Sequence, residues 1–577
     1  MKALLIRLAI FMAAALLSIA AQRSSLASSA TWATNPTSSN WNTAANWVPN
    51  TVPNSTTDVA TFSRSNVTEV INSDVIINLD SLVFSPDASQ YTISALDNIE
   101  LYGPGVVNNS GILQSFIVGA FFFKNSSAAG KMVSFTTTGG NFFFDNASSA
   151  GSASFDVASG DLQAHMFFND NSSAENATIN ASASSVIEFF DSSTGGNSTV
   201  NVSSAAFVLF EGSNNAEHMT ATCSGGAGAF SSQIDFEGFS SAGEGTFTTI
   251  GGSTSGEHGS FILFDNTATA DNATFVINGG MGRGLSATAL LFVDNTTAAN
   301  ANITANGGVG GSKGGMVNFE KASSGGTAGI TLNGNAKLDI TAHNPPGVTI
   351  GSLDGAGSVL LGGNTLTIGS NNQSTTFSGV IQGTGGVSKT GTGTLTLSGA
   401  NSYSGGTTVS AGVLNVSNPT GSGTGTATVN LNSCTRGGSG IIAGATTIGT
   451  GSGAGTFLAP AVGTKKQATL TIQSSLTFKS DATYTCTFKA KKNKAKTDLV
   501  VANGVTINGA TLNLVGQSQG SLKQGLRLTL ISNTSANPIS STFSNLPDDG
   551  IVTINGNNFQ ASYEGGDGND LTLTVVP

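Results

Sequence analysis

The sequence predicts an all-β protein built as a parallel β-helix (β-solenoid), with an N-terminal cap and a C-terminal β region. Three observations predict this fold class. Short apolar strands recur at intervals of about 20 to 29 residues, which is a period typical of solenoids. Glycine supplies 75 of the 577 residues and lies mostly between these strands. Charged residues are only 10% of the chain, which suits strands that carry Ser, Thr and Asn outward.

The composition also excludes several classes of protein. A net charge of −11 disfavours nucleic-acid binding, because such proteins present a basic surface. Twelve prolines are too few for collagen, and three cysteines are too few for a disulfide scaffold. Cys434 and Cys486 could pair and leave Cys223 over, or all three could be unpaired and buried. What remains is a neutral, small-residue, β-rich chain.

Residues 1–27 have the character of a secretory signal peptide. Lys2 and Arg7 supply positive charge, and the apolar run from Leu8 to Ala21 is followed by small residues. That run is about 14 residues, whereas a spanning helix needs about 20. We therefore expect export, no membrane span in the mature chain, and a secreted, extracellular or cell-surface location.

Residues 28–115 are predicted to form an N-terminal β cap that contains all three tryptophans of the chain. Trp32, Trp41 and Trp47 precede the first clear repeat. A sugar-binding site is the alternative for these rings. We favour the cap, because the first coil of a solenoid exposes an unpaired edge that must be covered.

Residues 116–345 carry Phe-rich repeats. One repeat is too small to bury its own apolar face, so stacked coils must share a continuous core. In register, one Phe per repeat would form an internal aromatic column. The predicted members are Phe123, Phe144, Phe168, Phe190, Phe210, Phe236, Phe264 and Phe319.

An acidic residue follows most of these anchor positions and predicts a second, outward column. Like charges about 5 Å apart repel one another, so either a bound cation or screening by water must offset the repulsion. We favour screening by water. The predicted members are Asp145, Asp191, Glu211, Glu237, Asp265, Asp294 and Glu320.

Residues 346–420 contain two specific sequence runs. One is Lys-Thr-Gly-x-Gly-x-Leu-x-Leu and the other is Asn-x-Tyr-x-Gly-Gly-Thr. Their positions are Lys389, Thr390, Gly391, Gly393, Leu395, Leu397, Asn401, Tyr403, Gly405, Gly406 and Thr407.

These runs resemble the autotransporter-associated β-strand repeat (passenger-associated repeat) of bacterial exported proteins. The resemblance covers about 40 residues strongly. It implies a right-handed β-helix passenger that is displayed at a bacterial surface, associated with the outer membrane, or released from it. Autotransporters also carry a membrane barrel of about 250 residues or more, whereas only about 160 residues follow this repeat. We therefore do not expect self-translocation through a barrel of this kind, and the sequence does not indicate how the chain is held at the surface.

Residues 421–577 are predicted to continue the β-helix or to form a separate β domain. Five lysines lie within the segment 489–496. A solvated hairpin loop is the simplest explanation for this run, and binding of an acidic surface polymer is the sharper alternative.

We expect a structural or adhesive function rather than catalysis, without cofactor or metal. Expected partners are surface polysaccharide or other cells, and no nucleic acid. The alternative is a β-helix polysaccharide lyase or glycoside hydrolase, which needs paired carboxylates such as Asp235 with Glu237, or Asp265 with Asp294. Catalysis is disfavoured because an active site interrupts a repeat, and Arg283 is the only arginine between residues 116 and 340.

Overall fold

The computed structural model describes residues 28–227, 231–252, 257–282, 287–453, 455–462 and 466–577. The predicted signal peptide and Arg283 lie outside these ranges. The regular secondary structure of the described residues consists of β-strands and one 3-10 turn at Ala44–Asn46. Most strands pair in parallel with the equivalent strand of the next coil. The predicted all-β solenoid is confirmed.

The described residues divide into two compact units: residues 28–135 with 145–153, and the described part of residues 136–144 with 154–577. Strands Lys131–Thr138 and Ser152–Ala158 contain positions where the chain passes from one unit to the other. The first unit has two rows of strands. One row is Ala30–Trp32, Trp47–Val48, Ser55–Phe62, Ile77–Phe84, Ile99–Asn108 and Ala120–Phe123, and the other is Glu69–Asn72, Thr92–Ala95 and Gln114–Val118.

The tryptophans of the first unit form a closed aromatic cluster. The rings of Trp32 and Trp41 lie 5.1 Å and 4.9 Å from that of Trp47. All three side chains are fully buried. The indole nitrogen of Trp47 donates to the carbonyl of Trp41, and that of Trp32 donates to the carbonyl of Val67. The indole nitrogen of Trp41 is buried and has no hydrogen-bond partner among the described residues. These buried rings form the core of the first coils, and none of them exposes a face on which a sugar could stack.

The second unit stacks its strands in four rows. The first row is Asn141–Phe144, His165–Phe168, Val186–Asp191, Phe207–Gly212, Gln233–Gly238, Phe261–Phe264, Ala289–Phe292, Met316–Phe319, Lys337–Asp339, Ser358–Leu360 and Val380–Gln382. The second row is Thr178–Ser182, Thr199–Val202, Thr220–Ser224, Thr246–Ile250, Thr274–Ile277, Asn302–Ala305, Gly329–Leu332, Ser352–Gly355, Thr375–Phe377, Thr394–Leu397, Val413–Val416, Thr435–Gly437, Thr456–Leu458, Ala482–Lys491, Lys494–Thr497 and Thr511–Gln519.

The remaining rows belong to the C-terminal half of this unit. The third row is Gly347–Ile350, Thr365–Ile368, Val387–Lys389, Thr407–Val409, Val429–Leu431, Thr446–Ile448, Leu476–Phe478 and Val505–Ile507. The fourth row is Ile441–Ile442, Thr469–Ile472, Leu499–Ala502, Arg527–Asn533, Ile551–Ile554, Asn557–Gly565 and Asp570–Val576. The last strands of the fourth row pair antiparallel, so the chain ends in hairpins. A short antiparallel pair, Gly226–Ala227 with Glu257–His258, lies outside the rows.

A column of parallel Phe rings fills the core behind the first row. Neighbouring rings lie 4.5 to 5.0 Å apart between centroids, with 4° to 17° between their planes. Each ring is fully buried. The members of this column in the second unit are Phe144, Phe168, Phe189, Phe210, Phe236, Phe264, Phe292 and Phe319.

Two assignments in the predicted column need correction. Phe190 is not a member, because Phe189 is the residue that pairs in register with Phe168 and Phe210. Phe190 lies on the outward side and is half-buried. Phe292 is a member that the sequence pattern did not select. In the first unit, Phe123 is buried and its ring lies 4.9 Å from that of Phe121.

Candidate functional site: the repeat coil and the outward face

The lysine of the repeat motif is buried at a corner of its coil. Lys389 ends a strand of the third row and has 1% of its surface exposed. Its ammonium donates to the backbone carbonyls of Thr390 and of Gly391, the latter at 3.0 Å, and reaches Ala411 at 3.5 Å. Burial lowers the pKa of Lys389. This side chain therefore ties its own turn to the following coil.

The glycines of the motif allow adjacent backbones to approach closely. Gly391 has a φ of +64°, and a Cβ atom there would lie 2.0 Å from the carbonyl oxygen of Gly369. A Cβ atom at Gly393 or Gly405 would lie 2.2 or 2.3 Å from a carbonyl oxygen of the preceding coil. Space is less restricted at Gly406, where the nearest atom would be 3.3 Å away. The motif needs glycine at the first three positions because any side chain would push two coils apart.

The two leucines of the motif point into the core. Leu395 and Leu397 occupy the inward positions of strand Thr394–Leu397 and are 1% and 0% exposed. They pair in register with Leu414 and Val416 of the next coil. Thr390 lies on the outer side of the corner, and its amide donates to the carbonyl of Ile368 at 2.9 Å.

Asn401 joins three successive coils through its backbone and side chain. Its Oδ1 accepts from the amide of Ile381 at 2.8 Å, and its Nδ2 donates to the carbonyl of Gly423 at 2.7 Å. The backbone amide donates to Ser422 at 2.7 Å. The residue is 4% exposed, so these bonds are made away from water.

Tyr403 and Thr407 complete the motif with a second internal chain of hydrogen bonds. The Tyr403 hydroxyl donates to Oγ1 of Thr407 at 2.6 Å, and Oγ1 of Thr407 donates to the carbonyl of Thr424 at 3.2 Å. Both side chains are fully buried. The motif residues thus act on backbone and core, and none of the buried ones faces an outside ligand.

Arg436 is a buried cation that the sequence pattern did not single out. It lies at the inward position between Leu414 and Leu458 of the adjacent coils and is fully buried. None of its three side-chain nitrogens has a hydrogen-bond partner among the residues that the structure describes. Burial lowers its pKa to about 9, and the charges of Cys434 and Tyr403 oppose part of that shift.

The acidic residues after the Phe anchors divide between two outward positions. Glu211 pairs in register with Glu237, whereas Asp191 pairs with Gly212. The single column expected from sequence is therefore wrong for Asp191 and for Asp294. Each follows its inward residue, Phe189 or Phe292, by two residues, whereas the other acids follow theirs by one. Burial raises the pKa of Glu237, and the charges of Glu211 and Asp265 raise it further.

Ion pairs with lysine occur at two of the acids. Lys321 donates to Asp294 at 2.6 Å, and Lys124 pairs with Asp145. Within the described ranges, no group of three or more His, Cys, Asp or Glu side chains is arranged to hold a metal ion. The three cysteines are buried and unpaired.

Asp235 is the carboxyl that departs furthest from ordinary behaviour. It lies between Leu209 and Leu263 of the neighbouring coils and is 5% exposed. Its Oδ2 accepts from Gln233 at 3.3 Å, while Oδ1 has no partner in the described part of the chain. Burial, helped by the charges of Glu237 and Asp265, raises its pKa to about 8. A closed, mostly protonated carboxyl of this kind is poorly placed to meet a polysaccharide.

Comparison with known proteins gives a family model, a curated relative and a solved structure that are similar to parts of this chain. Residues 387–416 match the family model described as the passenger-associated-transport-repeat. The adhesin BmaC autotransporter of Brucella suis is 41% identical over 102 residues, which is 17% of this chain and 3% of that protein. The crystal structure of the Haemophilus influenzae Hap adhesin gives a TM-score of 0.33 at 12% identity, over 90% of this chain and 64% of that one. This chain thus aligns with less than two thirds of the length of either protein.

The match to the family model falls on the coil described above, from the strand that ends at Lys389 through the inward leucines to Val416. The resemblance stated from the sequence runs alone is confirmed by it. The chain therefore carries a segment, residues 387–416, that matches the passenger-associated-transport-repeat.

Proposed function

We propose that this chain is an exported, passenger-like β-solenoid with a structural or adhesive role at the cell surface or in the extracellular matrix. The observation that supports it best is the passenger repeat at residues 387–416, built in register into a continuous stack of coils. The name of the Brucella protein supplies the adhesive part of the proposal.

The outward faces suit a role that depends on surface rather than on catalysis. Asn side chains form ladders along the coils, such as Asn278, Asn306 and Asn333, joined at 2.8 and 2.9 Å. Ladders of this kind are uncharged, repeat from coil to coil and hold the coils in register. They form a long, uncharged polar surface. A ligand would therefore bind where this regular surface is interrupted.

Export is the second part of the proposal. Residues 1–27 have signal-peptide character. The repeat matched at residues 387–416 is described as passenger-associated and transport-related, which supports export. No helix among the described residues has the length and apolar character needed to cross a membrane.

Cell fractionation and an adhesion assay test the proposal together. The full chain and a variant that lacks residues 1–27 are expressed in a Gram-negative host, and protein outside the cell is measured by protease accessibility. We expect the full chain to become accessible and to increase attachment of cells to a surface, while the truncated control does neither. An accessible chain that changes neither attachment nor matrix formation would contradict the functional part.

A lyase or hydrolase is the competing function, and its carboxylates are Asp235 and Glu237. We expect no turnover of acidic or neutral polysaccharides by the purified chain. Turnover that is lost in both Asp235→Asn and Glu237→Gln, but retained in Asp161→Asn, an exposed loop carboxylate, would replace the proposal with catalysis.

A further inference from the structure

The lysine run of the C-terminal region forms an ordered antiparallel hairpin. Strand Ala482–Lys491 pairs with Lys494–Thr497, and the turn between them includes Lys492, whose φ is +51°. Lys489 and Lys491 alternate with the buried residues Phe488 and Ala490, so both lysines point outward. The segment is a hairpin as expected, but four of its five lysines lie in the paired strands and only Lys492 lies in the turn.

The pairing places like charges opposite each other. Lys489 pairs with Lys496, and Lys491 pairs with Lys494. Directly opposed charges of one sign in an antiparallel pair destabilise it. Within the part of the chain that the structure describes, no carboxylate pairs with Lys491, Lys494 or Lys496. The hairpin therefore keeps an arrangement that costs stability and that an anionic ligand would relieve.

The nearest acidic residue in sequence is already used inside the fold. Asp498 follows the hairpin directly and is fully buried. Its two oxygens accept from the amides of Ala468 and Thr487 at 2.8 and 2.7 Å. Since these contacts hold it in the interior, it does not extend to the lysines on the outer surface.

Two glutamines extend the charged surface onto a third strand. Strand Thr511–Gln519 pairs in parallel with the first strand of the hairpin and places Gln517 beside Lys489 and Gln519 beside Lys491. These side chains are exposed and share one face of the sheet. We call this surface the lysine–glutamine face; it consists of Lys489, Lys491, Lys494, Lys496, Gln517 and Gln519.

The spacing on this face is regular. Neighbouring strands lie about 4.8 Å apart, and alternate residues along a strand lie about 6.8 Å apart. A groove of about 680 Å³ runs along it and is also lined by Gln467 and Arg527. The chain as a whole carries a net charge of −11, so the face is a local reversal of sign.

We propose that the lysine–glutamine face binds an acidic polysaccharide, one whose repeating units carry carboxylate or sulfate groups. The ammonium groups match a row of regularly spaced anions, and the side-chain amides match sugar hydroxyls. The groove lining contains no aromatic ring, so the stacking that stabilises bound single-stranded nucleic acid is missing. It contains only alanine and Leu526 as apolar residues, which is too little to enter a bilayer.

The proposed binding of polysaccharide depends on the proposed function in one respect, because the chain must be exported to meet acidic polysaccharides outside the cell. Binding itself is measured on the purified full chain, so its outcome is separate from that of the fractionation and adhesion assays. A chain that adheres but binds no polyanion would overturn the face and leave the proposed function intact. A chain that binds polyanions through this face but stays inside the cell would overturn the proposed function alone.

The test compares two variants with the same change in charge. The face variant carries Lys489→Gln, Lys491→Gln, Lys494→Gln and Lys496→Gln. The control variant carries Lys131→Gln, Lys313→Gln, Lys337→Gln and Lys479→Gln, which lie elsewhere. Binding to polygalacturonate (carboxylate), heparin (sulfate) and neutral dextran is measured by titration at several salt concentrations. Thermal unfolding checks that both variants are folded, and the face variant should melt no lower than the parent because its opposed charges are gone.

We expect the parent and the control variant to bind at least one acidic polysaccharide and to ignore dextran. The face variant should bind at least tenfold more weakly, with a smaller dependence of log K on log salt. A preference for heparin or polygalacturonate identifies sulfate or carboxylate as the recognised group. An equal loss in both variants, no binding by the parent, or tighter binding of oligo(dT) or anionic lipid vesicles at the same salt would each overturn the proposal.

Discussion

The ring of Phe189 lies almost parallel to the ring of Phe210, with 4.5 Å between their centroids and 4° between their planes. The next residue, Phe190, points the opposite way and meets the outward ring of Phe167 at 6.5 Å. Adjacent residues of a strand face opposite sides, so two identical side chains have different surroundings here. The buried column therefore depends on register between coils and not on the presence of Phe alone.

Replacing each of these two phenylalanines tests the column. Phe189→Ala should lower the free energy of unfolding by about 3–5 kcal/mol, because it leaves a cavity between two stacked rings. Phe190→Ala, the matched control, should lower it by about 1 kcal/mol or less, since that side chain is half-buried on the outer face. Urea unfolding followed by far-UV circular dichroism measures both. Equal losses would show that the outward rings contribute as much as the inward ones.

The repeat and its period could be read from sequence, whereas the inward residue of each coil could not always be. In most coils the inward Phe directly precedes an acid, as Phe144 precedes Asp145. Strand Val186–Asp191 contains two Phe residues before its acid, and in strand Ala289–Phe292 the acid Asp294 follows two residues later. Hydrogen bonds to the neighbouring coil select Phe189 and Phe292, and a pattern within one coil holds no information about that choice.

The family motif shows a second limit of the same kind. Its residues could be located from sequence, but the contacts of Asn401 are with Ile381 and Gly423, about 20 residues away on either side. The sequence around Arg436 does not show that its side chain points inward, because a charged residue in a short strand is ordinarily expected on the outer face. Burial of a charged side chain becomes visible only when the coils on both sides are in place.

Asn401→Ala should destabilise the chain strongly. The substitution leaves the amide of Ile381 and the carbonyl of Gly423 without their partners in a site closed to water. Each buried group left unpaired costs about 1–3 kcal/mol, so we expect a loss of about 2–5 kcal/mol in the free energy of unfolding. Asn430→Ala, at an exposed position of strand Val429–Leu431, is the control and should change it by about 0.5 kcal/mol or less. A small effect at both positions would contradict a bridging role for Asn401.

Gly391→Ala and Gly520→Ala separate close approach from backbone conformation. The two glycines have φ values of +64° and +70°, but a Cβ atom meets the Gly369 carbonyl oxygen at the first and nothing within 4 Å at the second. The left-handed conformation alone costs about 1–2 kcal/mol for alanine. We expect that loss for Gly520→Ala and at least about 2 kcal/mol more for Gly391→Ala, measured by chemical unfolding. Similar losses would mean that the coils separate easily at this turn.

Arg436→Met should stabilise the chain. The guanidinium is fully buried without hydrogen-bond partners among the described residues, and methionine fills a similar volume without a charge. Replacing buried charge by apolar side chains of similar size often raises stability by about 1–4 kcal/mol. Thermal and urea unfolding should show this gain, while Arg64→Met, at an exposed site, should show none. A loss of stability in Arg436→Met would reveal a partner that holds the cation in place.

Asp235→Asn should change how stability depends on pH. The folded pKa of Asp235, about 8, lies above the ordinary value of 3.8, because burial between two leucines disfavours the charged form. The folded state thus keeps a proton that the unfolded state has lost, so this group's contribution to stability is complete below pH 3.8 and is lost as the pH rises toward 8. The asparagine variant cannot ionise. At about 1.4 kcal/mol per pKa unit, a shift of about four units corresponds to a gain of the variant over the parent of up to about 5 kcal/mol in free energy of unfolding between pH 4 and pH 8.5. Any constant cost of burying the amide cancels in that comparison, and Asp161→Asn supplies the exposed control. A difference between variant and parent that is the same at both pH values would show that Asp235 ionises without penalty.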